Sequence, residues 1–265
     1  MFDLDRYLER IGVRRDATLA ELQRAHATSI TFEGLSAHLG EPVPLDADAL
    51  AAKLVDGGRG GYCFEQNLLF AAALEALGYE VEPHLARVRL GLASGAEVRG
   101  RTHLLLHVTD EQGEHWHVDV GFGGGTPIEP LPWGPGGEHE LAGWRFRVVE
   151  DDGLWVLQIR EPHGGWGDLY GFEPQPPPMI DIEMNNWWTA THPQSPFVTG
   201  FLISRQWPDG RQLLLSDWGE LTLLERTSEG ASPLPVEREQ LPDLLAERFE
   251  LRGFELDGNG RLVRR

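Results

Sequence analysis

The sequence of 265 residues is long enough for two or three packed modules, and an apolar content of 41% can supply their core. The 42 acidic residues outnumber the 23 lysines and arginines, and the net charge of −19 argues against general binding to nucleic acids or anionic membranes. A single cysteine excludes a disulfide framework and a cysteine-rich metal site. We see no apolar run long enough to cross a membrane and no signal-peptide pattern, so a cytoplasmic location is expected.

The first third of the chain carries helical patterns. Apolar side chains recur at helical spacing before Gly12, a residue that can end a helix. Thr18 and Glu21 have the spacing of a capping box. The predicted helices cover residues 4–11, a segment that begins after Thr18, residues 45–54 and residues 62–77.

The pattern changes after Pro83, where short segments with strand character alternate with turn residues. They predict an antiparallel sheet or small barrel with strands at residues 85–90, 102–108, 116–120, 144–150 and 154–159. A smaller mixed module is predicted beyond them. Its elements are a short helix at 181–188, a hairpin of 197–206 and 211–215, a strand at 221–226 and a helix at 240–249.

Cys63 follows a glycine-rich loop, residues 56–61, and stands at the start of the last helix predicted in the first third. Unpaired backbone N–H groups and the positive end of the helix dipole favour a thiolate at such a position. The glycines allow a sharp turn and leave room for a reactant beside the sulfur. A lone cysteine is more often an inert core residue, but this context indicates a nucleophile.

A cysteine nucleophile needs a base, and two predicted strands offer one. The strands at 102–108 and 116–120 are expected to pair as a hairpin. If the connecting loop has three or five residues, His103 and Asp119 project from the same face, directly opposite or one diagonal step apart. A histidine held by an aspartate beside a cysteine follows the logic of a catalytic triad. The opposite, core-facing side would hold Leu104, Leu106, Val108, Trp116, Val118 and Val120.

A metal site is the competing interpretation of the same strands. His115, His117 and Asp119 alternate along one strand and would place three possible metal ligands on one face. His103 and His107 would share that face. Such a site leaves the cysteine and its glycine loop without a role. For the histidines other than His103, a solvated strand surface is the plainer expectation.

Four segments together resemble the arylamine N-acetyltransferase family. They are residues 59–67 (RGGYCFEQN), 101–106 (RTHLLL), 118–123 (VDVGFG) and 191–197 (THPQSPF). Their order and rough spacing also match, and the similarity runs from about Thr18 to about Phe254. The segment 215–219 (LSDWG) departs from the family because it lacks the basic residues that relatives often carry there.

The resemblance implies an α+β fold in three parts, in the order of the elements predicted above. A helical bundle, residues 1–83, would carry the cysteine, and an antiparallel β-barrel, residues 84–180, would carry the histidine and the aspartate. An interdomain helix and an α/β lid would follow over residues 181–265. The resemblance also implies ping-pong acetyl transfer from acetyl-CoA to an arylamine or arylhydrazine. The expected partners are coenzyme A and a small aromatic amine, without a metal, nucleic acid or membrane.

Position by position, the resemblance implies that Cys63 is the acetylated nucleophile, that His103 activates it and that Asp119 orients the imidazole. Thr102 and Gly121 match positions along which the coenzyme passes. Phenylalanines match positions that line the substrate pocket of the family: Phe32, Phe122 and Phe197.

The residues alone leave three other functions open. A papain- or transglutaminase-like hydrolase, or an amide synthase, would use the same triad, and the hydrolase would release free acid. A catalytically silent module would hold a coenzyme or an aromatic ligand, although it has no need of all three triad residues. A metalloenzyme would use His115, His117 and Asp119.

Overall fold

The computed structural model describes residues 2–92 and 98–265. Its N-terminal part is helical, as predicted, with a short strand between the second and third helices. The elements are α1 (Leu4–Ile11), α2 (Leu19–Ser29), β1 (Phe32–Glu33), α3 (Leu35–His38), α4 (Ala47–Ala51) and α5 (Cys63–Ala76). α4 continues directly into a π-helical turn, Ala52–Asp56, where the sequence predicts one helix.

Local chemistry sets the ends of the first two helices. The Asp3 carboxylate accepts hydrogen bonds from backbone N–H groups of the first turn of α1, which have no partner inside the helix. α1 ends at Gly12, whose φ of 74° is the left-handed conformation that glycine adopts without strain. Thr18 and Glu21 form a capping box at the start of α2. The predicted helix signals at these residues are confirmed.

A nearly closed antiparallel sheet follows. Its strands are β2 (Glu80–Val88), β3 (His103–Thr109), β4 (His115–Val118), β5 (Leu131–Pro132), β6 (His139–Leu141), β7 (Trp144–Asp151), β8 (Leu154–Arg160) and β9 (Trp166–Phe172). Their order in the sheet is β5-β4-β3-β2-β9-β8-β7-β6. β2 begins at Glu80 rather than at residue 85, because Pro83 lies where β2 pairs with β3 alone, an edge position that tolerates proline.

The N-terminal helices pack on one face of the β3–β4 hairpin. Leu106 and Val118 lie in the same buried cluster as Leu69 and Phe70 of α5. This is the face that the alternation of apolar residues predicts. Because α5 packs along β3, the start of the helix, Cys63, lies beside the start of the strand.

The C-terminal part combines a second antiparallel sheet with helices. Its elements are α6 (Met179–Thr191), α7 (Pro196–Thr199), β10 (Phe201–Gln206), β11 (Gln212–Asp217), β12 (Leu221–Thr227), β13 (Gly230–Leu234), a 3-10 turn (Arg238–Gln240), α8 (Leu241–Arg248), β14 (Phe254–Leu256) and β15 (Leu262–Arg264). The sheet order is β1-β10-β11-β12-β13, so β1 of the N-terminal part completes this sheet. The hairpin predicted around Gly210 is β10–β11, and residues 197–199 belong to α7 instead.

The predicted α+β fold class is confirmed: helices, an antiparallel barrel sheet and a mixed C-terminal part follow one another. The boundaries after residues 83 and 180 stay predictions, and we note that β2 and α6 each span one of them. Among the residues that the structure describes, none of the helices has the length and apolar character that a membrane crossing requires.

Candidate active site

The β3–β4 hairpin places His103 beside Asp119. Thr109 pairs with His115, so residues 110–114 connect the strands. A connection of this length sets the two side chains on one face, one diagonal step apart. Nε2 of His103 lies 2.8 Å from Oδ2 of Asp119. The predicted facing of the pair is confirmed.

The position of the hydrogen on His103 follows from its partner. The carboxylate of Asp119 accepts, so Nε2 carries a hydrogen, and Nδ1 keeps a lone pair whenever the ring is neutral. Both side chains are buried, with exposed fractions of 2% and 0%. Burial alone would raise the pKa of Asp119, but the charge and hydrogen bond of His103, with hydrogen bonds from Asn67 and Gly121, hold it below its ordinary value. Asp119 is therefore an anion that can stabilise a proton on His103.

Tyr170 and His117 extend this pair on the far side of Asp119. The Tyr170 hydroxyl donates to Oδ2 of Asp119 at 2.8 Å, and Nε2 of His117 donates to that hydroxyl at 2.8 Å. Burial lowers the pKa of His117 to about 4, so its ring is neutral. A solvated surface is therefore the wrong expectation for His117, because its face of β4 is turned into the barrel. Asp119 is bonded to His103 and Tyr170, and among the described residues His115, His117 and Asp119 do not bring their ligand atoms together.

Cys63 is buried in the first turn of α5, and its sulfur lies 3.5 Å from the carbonyl oxygen of Thr102. Burial raises the pKa of the Cys63 thiol to about 12, and the backbone N–H groups of Leu104 and Phe64, which act in the other direction, do not offset it. Burial and the N–H donors therefore act on the sulfur in opposite directions, and the ionisation expected from the helix start stays a prediction. A histidine that accepts the thiol proton favours the same ionised form.

The protein itself packs against the glycine loop before Cys63. A Cβ on Gly60 would lie 1.9 Å from the carbonyl oxygen of Thr31, and a Cβ on Gly61 would lie 2.8 Å from Cβ of Glu65. Real Cβ atoms do not approach so closely, so both positions require glycine. The sequence suggested that these glycines leave space for a reactant. In the structure, that space is occupied by Thr31 and Glu65, so the glycines allow the loop to pack closely against its neighbours.

Gly121 has a similar role on the barrel side. A Cβ there would lie 2.9 Å from Cα of Cys63 and 2.9 Å from Nδ2 of Asn67. The Gly121 N–H also donates to Oδ1 of Asp119 at 2.8 Å. A side chain at this position would push the end of β4 away from α5 and separate Asp119 from the cysteine.

A chain of buried hydrogen bonds holds the loop from behind. Tyr7 donates to Nδ1 of His26 at 2.7 Å, and Nε2 of His26 donates to Gln66 at 2.7 Å. The Gln66 amide donates in turn to the carbonyl oxygens of Thr31, at 3.0 Å, and Gly61, at 3.2 Å. Burial lowers the pKa of His26 to about 4, and this neutral histidine ties α1 and α5 to the loop.

A cavity of about 790 Å³ opens at Cys63 and His103. The other residues that the resemblance singled out also line it, except Asp119, which lies behind His103: Phe32, Thr102, Gly121, Phe122 and Phe197. Trp188 of α6 lines it too. The sequence did not identify three further lining residues: Leu90, Val98 and Trp218. Their large apolar side chains are exposed, which marks a ligand-binding surface but can be seen only in a structure.

Arg99 lines the cavity. Three further arginines, which are not part of the lining, are paired with carboxylates: Arg59 with Glu33 at 2.6 Å, Arg205 with Glu250 at 2.6 Å and Arg101 with Asp181 at 3.7 Å. Their charge is largely offset before any anionic ligand arrives.

The fold and the cavity define a class of protein: helices that pack on an antiparallel barrel and present a buried cysteine and a His–Asp pair at one cavity. A family model described as N-acetyltransferase matches residues 17–255. The chain is 42% identical over 218 residues to an arylamine N-acetyltransferase of Mycolicibacterium smegmatis, across 79% of this chain and 78% of that protein. It is 37% identical over 272 residues to an arylamine N-acetyltransferase of Mycobacterium bovis, across 99% and 94%.

A solved structure of a family member supports the same assignment. The arylamine N-acetyltransferase of Mycobacterium marinum in complex with CoA superposes with a TM-score of 0.87 at 35% identity, across 94% of this chain and 92% of that one. This chain therefore belongs to the arylamine N-acetyltransferase family and is an acyltransferase. The resemblance stated from the sequence is confirmed.

Proposed function

We propose that this protein transfers an acetyl group from acetyl-CoA to an aromatic amine or hydrazine through a thioester on Cys63. The observation that carries the proposal is one cavity lined by Cys63 and His103, with Asp119 bonded behind the imidazole. The relatives named above support the same reaction, since they are arylamine N-acetyltransferases and one was solved with CoA. A cytoplasmic site of action follows only from composition and stays a prediction.

In the first half-reaction the Cys63 sulfur attacks the thioester carbonyl of acetyl-CoA. When the thiol is protonated, its proton leaves during the attack, and Nδ1 of His103 accepts it. Asp119 stabilises the imidazolium through the bond at Nε2. The carbon–sulfur bond to coenzyme A then breaks, and the departing thiolate takes the proton back from His103. Because one thioester replaces another, the free energy changes little in this step. The site lowers the activation barrier mainly by positioning the reactants and transferring the proton.

In the second half-reaction the amine nitrogen attacks the carbonyl carbon of acetyl-Cys63. The nitrogen loses a proton to His103, the bond between the carbonyl carbon and Sγ breaks, and His103 returns the proton to the sulfur. The products are the N-acetylated amine and free Cys63. The same base serves both halves, which fits one histidine at the cavity.

Both steps build negative charge on the carbonyl oxygen, and donors near the sulfur can stabilise it. The backbone N–H groups of Cys63, Phe64 and Leu104 are directed at the sulfur. The first two stand in the opening turn of α5, where helix N–H groups have no intrahelical partner. We assign the oxyanion to this group of donors, because preorganised N–H groups of this kind stabilise tetrahedral intermediates.

The cavity lining suits an aromatic acceptor. Phe122 lies 4.9 Å from the His103 ring, and Phe32 and Phe197 are 6.2 Å apart, measured between ring centroids. Such rings bind a flat apolar ligand by stacking and edge contacts. Thr102 and Gly121 border the same cavity, and we assign the coenzyme arm to their side.

The test is release of CoA from acetyl-CoA, measured with and without a panel of aromatic amines and hydrazines. We expect amine-dependent release and one N-acetylated amine per CoA. The Cys63→Ala variant serves as the matched control and should release no CoA above background. Release that yields free acetate at the same rate with or without amine would identify a hydrolase and overturn the proposal, as would full activity in Cys63→Ala.

A further inference from the structure

A second cluster of polar side chains lies on β2 and β3, away from the catalytic pair. One potential ligand atom from each of Glu82, His84 and His107 lies within 4.8 Å of the other two. Glu82 and His84 alternate along β2, and His107 is the cross-strand partner of Glu82 on β3. The three side chains therefore point from the same face of the sheet.

His84 is fixed with one ring nitrogen unused. Its Nδ1 lies 3.2 Å from the carbonyl oxygen of Glu173, which can only accept, so Nδ1 carries the hydrogen. Nε2 of the neutral ring then holds a lone pair, and this atom is buried without a hydrogen-bond partner. The ring of His84 faces that of His107, with 6.1 Å between the ring centroids. The side chain is fully buried, which makes the unpaired nitrogen costly unless something binds it.

The two other members are near each other, and Glu82 is the more exposed of them. Nδ1 of His107 lies 2.8 Å from a Glu82 oxygen, and the two side chains are 13% and 53% exposed. Nε2 of His107 lies 3.0 Å from Nδ1 of His115, and a hydrogen donated there leaves Nδ1 of His107 with a lone pair for a metal. Trp133 stacks on the His107 ring with a centroid distance of 4.2 Å and contacts His84 at 4.9 Å. Ligand atoms of a tetrahedral zinc site lie about 3.4 Å apart. Small movements of Glu82 and His107 onto the fixed His84 reach that spacing.

We infer that Glu82, His84 and His107 form a binding site for a divalent transition metal of the zinc type, distinct from the catalytic cavity. Two imidazoles and one carboxylate are a ligand set that zinc accepts, with water in a fourth position. The hydrogen bond from His84 Nδ1 to a carbonyl is the outer contact by which metal-binding histidines are usually oriented. Magnesium and calcium prefer oxygen ligands and do not suit this set.

The site is separate from the acetyl-transfer machinery. His107 stands four residues beyond His103 on β3, about 13 Å along the strand. A metal there would join β2 to β3 and stabilise the folded chain, since the ligands come together only in the folded state. The competing metal interpretation of the sequence included His107 but neither Glu82 nor His84, since both lie before the predicted start of the strand at residue 85.

The experiment uses the untagged full chain with Cys63→Ala, so that zinc cannot bind through the lone thiol. After chelator treatment and dialysis, zinc chloride is titrated in a calorimeter, with magnesium chloride as the second titrant. We expect one zinc ion per chain, no saturable magnesium binding and a rise of the melting temperature with zinc. His84 is left in place because it is buried and its replacement could perturb folding.

Variants at the more exposed ligands decide the assignment. Glu82→Gln and His107→Gln, each in the Cys63→Ala background, should bind zinc about tenfold or more weakly. His163→Gln, at an exposed histidine elsewhere, is the matched control and should bind like the parent. No saturable zinc binding in the parent, or equal affinity in all three variants, would overturn the inference.

Discussion

Two buried histidines in two regions of the molecule show how a partner decides what an imidazole does. His103 in the barrel and His26 in the helical bundle are almost fully buried, with 2% and 0% of their surfaces exposed. Each donates from Nε2, His103 to the carboxylate of Asp119 and His26 to the amide of Gln66. The carboxylate offsets the charge of an imidazolium, whereas the amide does not. One ring can therefore take up a proton, and the other is held neutral.

The surroundings of each ring agree with this difference. Nδ1 of His26 accepts a hydrogen bond from the Tyr7 hydroxyl at 2.7 Å, so both ring nitrogens are engaged in structural hydrogen bonds. His103 lines the cavity that contains Cys63. Burial alone does not make a histidine catalytic. A buried anion on one nitrogen and an open cavity at the ring together do so.

Replacing the carboxylate beside His103 by an amide, the partner that His26 has, should cause the largest loss of activity. Asp119→Asn keeps the shape of the side chain but removes its charge, and the amide can also favour the wrong tautomer of His103. We expect kcat/KM to fall about 10³- to 10⁴-fold, as for loss of the aspartate in other triads. Steady-state kinetics with acetyl-CoA and an arylamine measures this, with circular dichroism to verify folding. A loss under about tenfold would show that the carboxylate is not required.

The neutral state of His26 predicts a loss of stability in acid. Its pKa is about 4 in the folded chain and about 6.5 when unfolded, so the unfolded state takes up the proton first. The free energy of unfolding is therefore unaffected above about pH 6.5 and falls by about 3 kcal/mol as the pH drops to about 4. Urea denaturation of wild type and His26→Gln at several pH values isolates this contribution. A wild-type pH slope that matches that of His26→Gln would mean that His26 does not titrate as described.

Tyr170→Phe removes one hydrogen-bond donor to Asp119 but leaves the charge of the carboxylate. It therefore separates the effect of the hydrogen bond from that of the charge. The hydroxyl donates to Oδ2 at 2.8 Å, and a hydrogen bond to a charged group contributes about 1.5–3 kcal/mol. We expect a loss of about tenfold in kcat/KM, mainly in kcat, with a shifted pH profile. Unchanged kcat at every pH would assign Tyr170 to packing alone.

Ionic strength is expected to have the smallest effect. The net charge is −19, and Arg59, Arg101 and Arg205 face carboxylates, so long-range attraction of the anionic coenzyme should be weak. Raising salt to physiological strength screens charges beyond about 8–10 Å. We expect kcat/KM for acetyl-CoA to rise slightly or stay flat over this range. A steep fall would reveal a concentrated basic site around Arg99.

The sequence predicts the helix caps and the facing of His103 and Asp119 because these depend on neighbours in the chain or on the period of a strand. β9 was not predicted, since Gly167 and Gly171 weaken its strand pattern; in the structure their backbones lie close to the side chains of Glu161 and Leu154.

Contacts between distant segments were also beyond the sequence. The bond from Tyr170 to Asp119 joins β9 to the end of β4, and the chain from His26 to Gln66 crosses two helices. The burial of Cys63, which opposes the ionisation favoured by the helix start, was not visible in the sequence either.

The most direct test of the central claim is acetylation of Cys63 in the absence of amine. Wild type, His103→Gln and the exposed control His163→Gln are mixed with acetyl-CoA, quenched at short times and analysed by intact mass and peptide mapping. We expect one acetyl group on Cys63 at the same rate in wild type and His163→Gln, and a rate about 10² to 10⁴ lower in His103→Gln. Acetylation of His103→Gln at the wild-type rate would show that His103 is not the base.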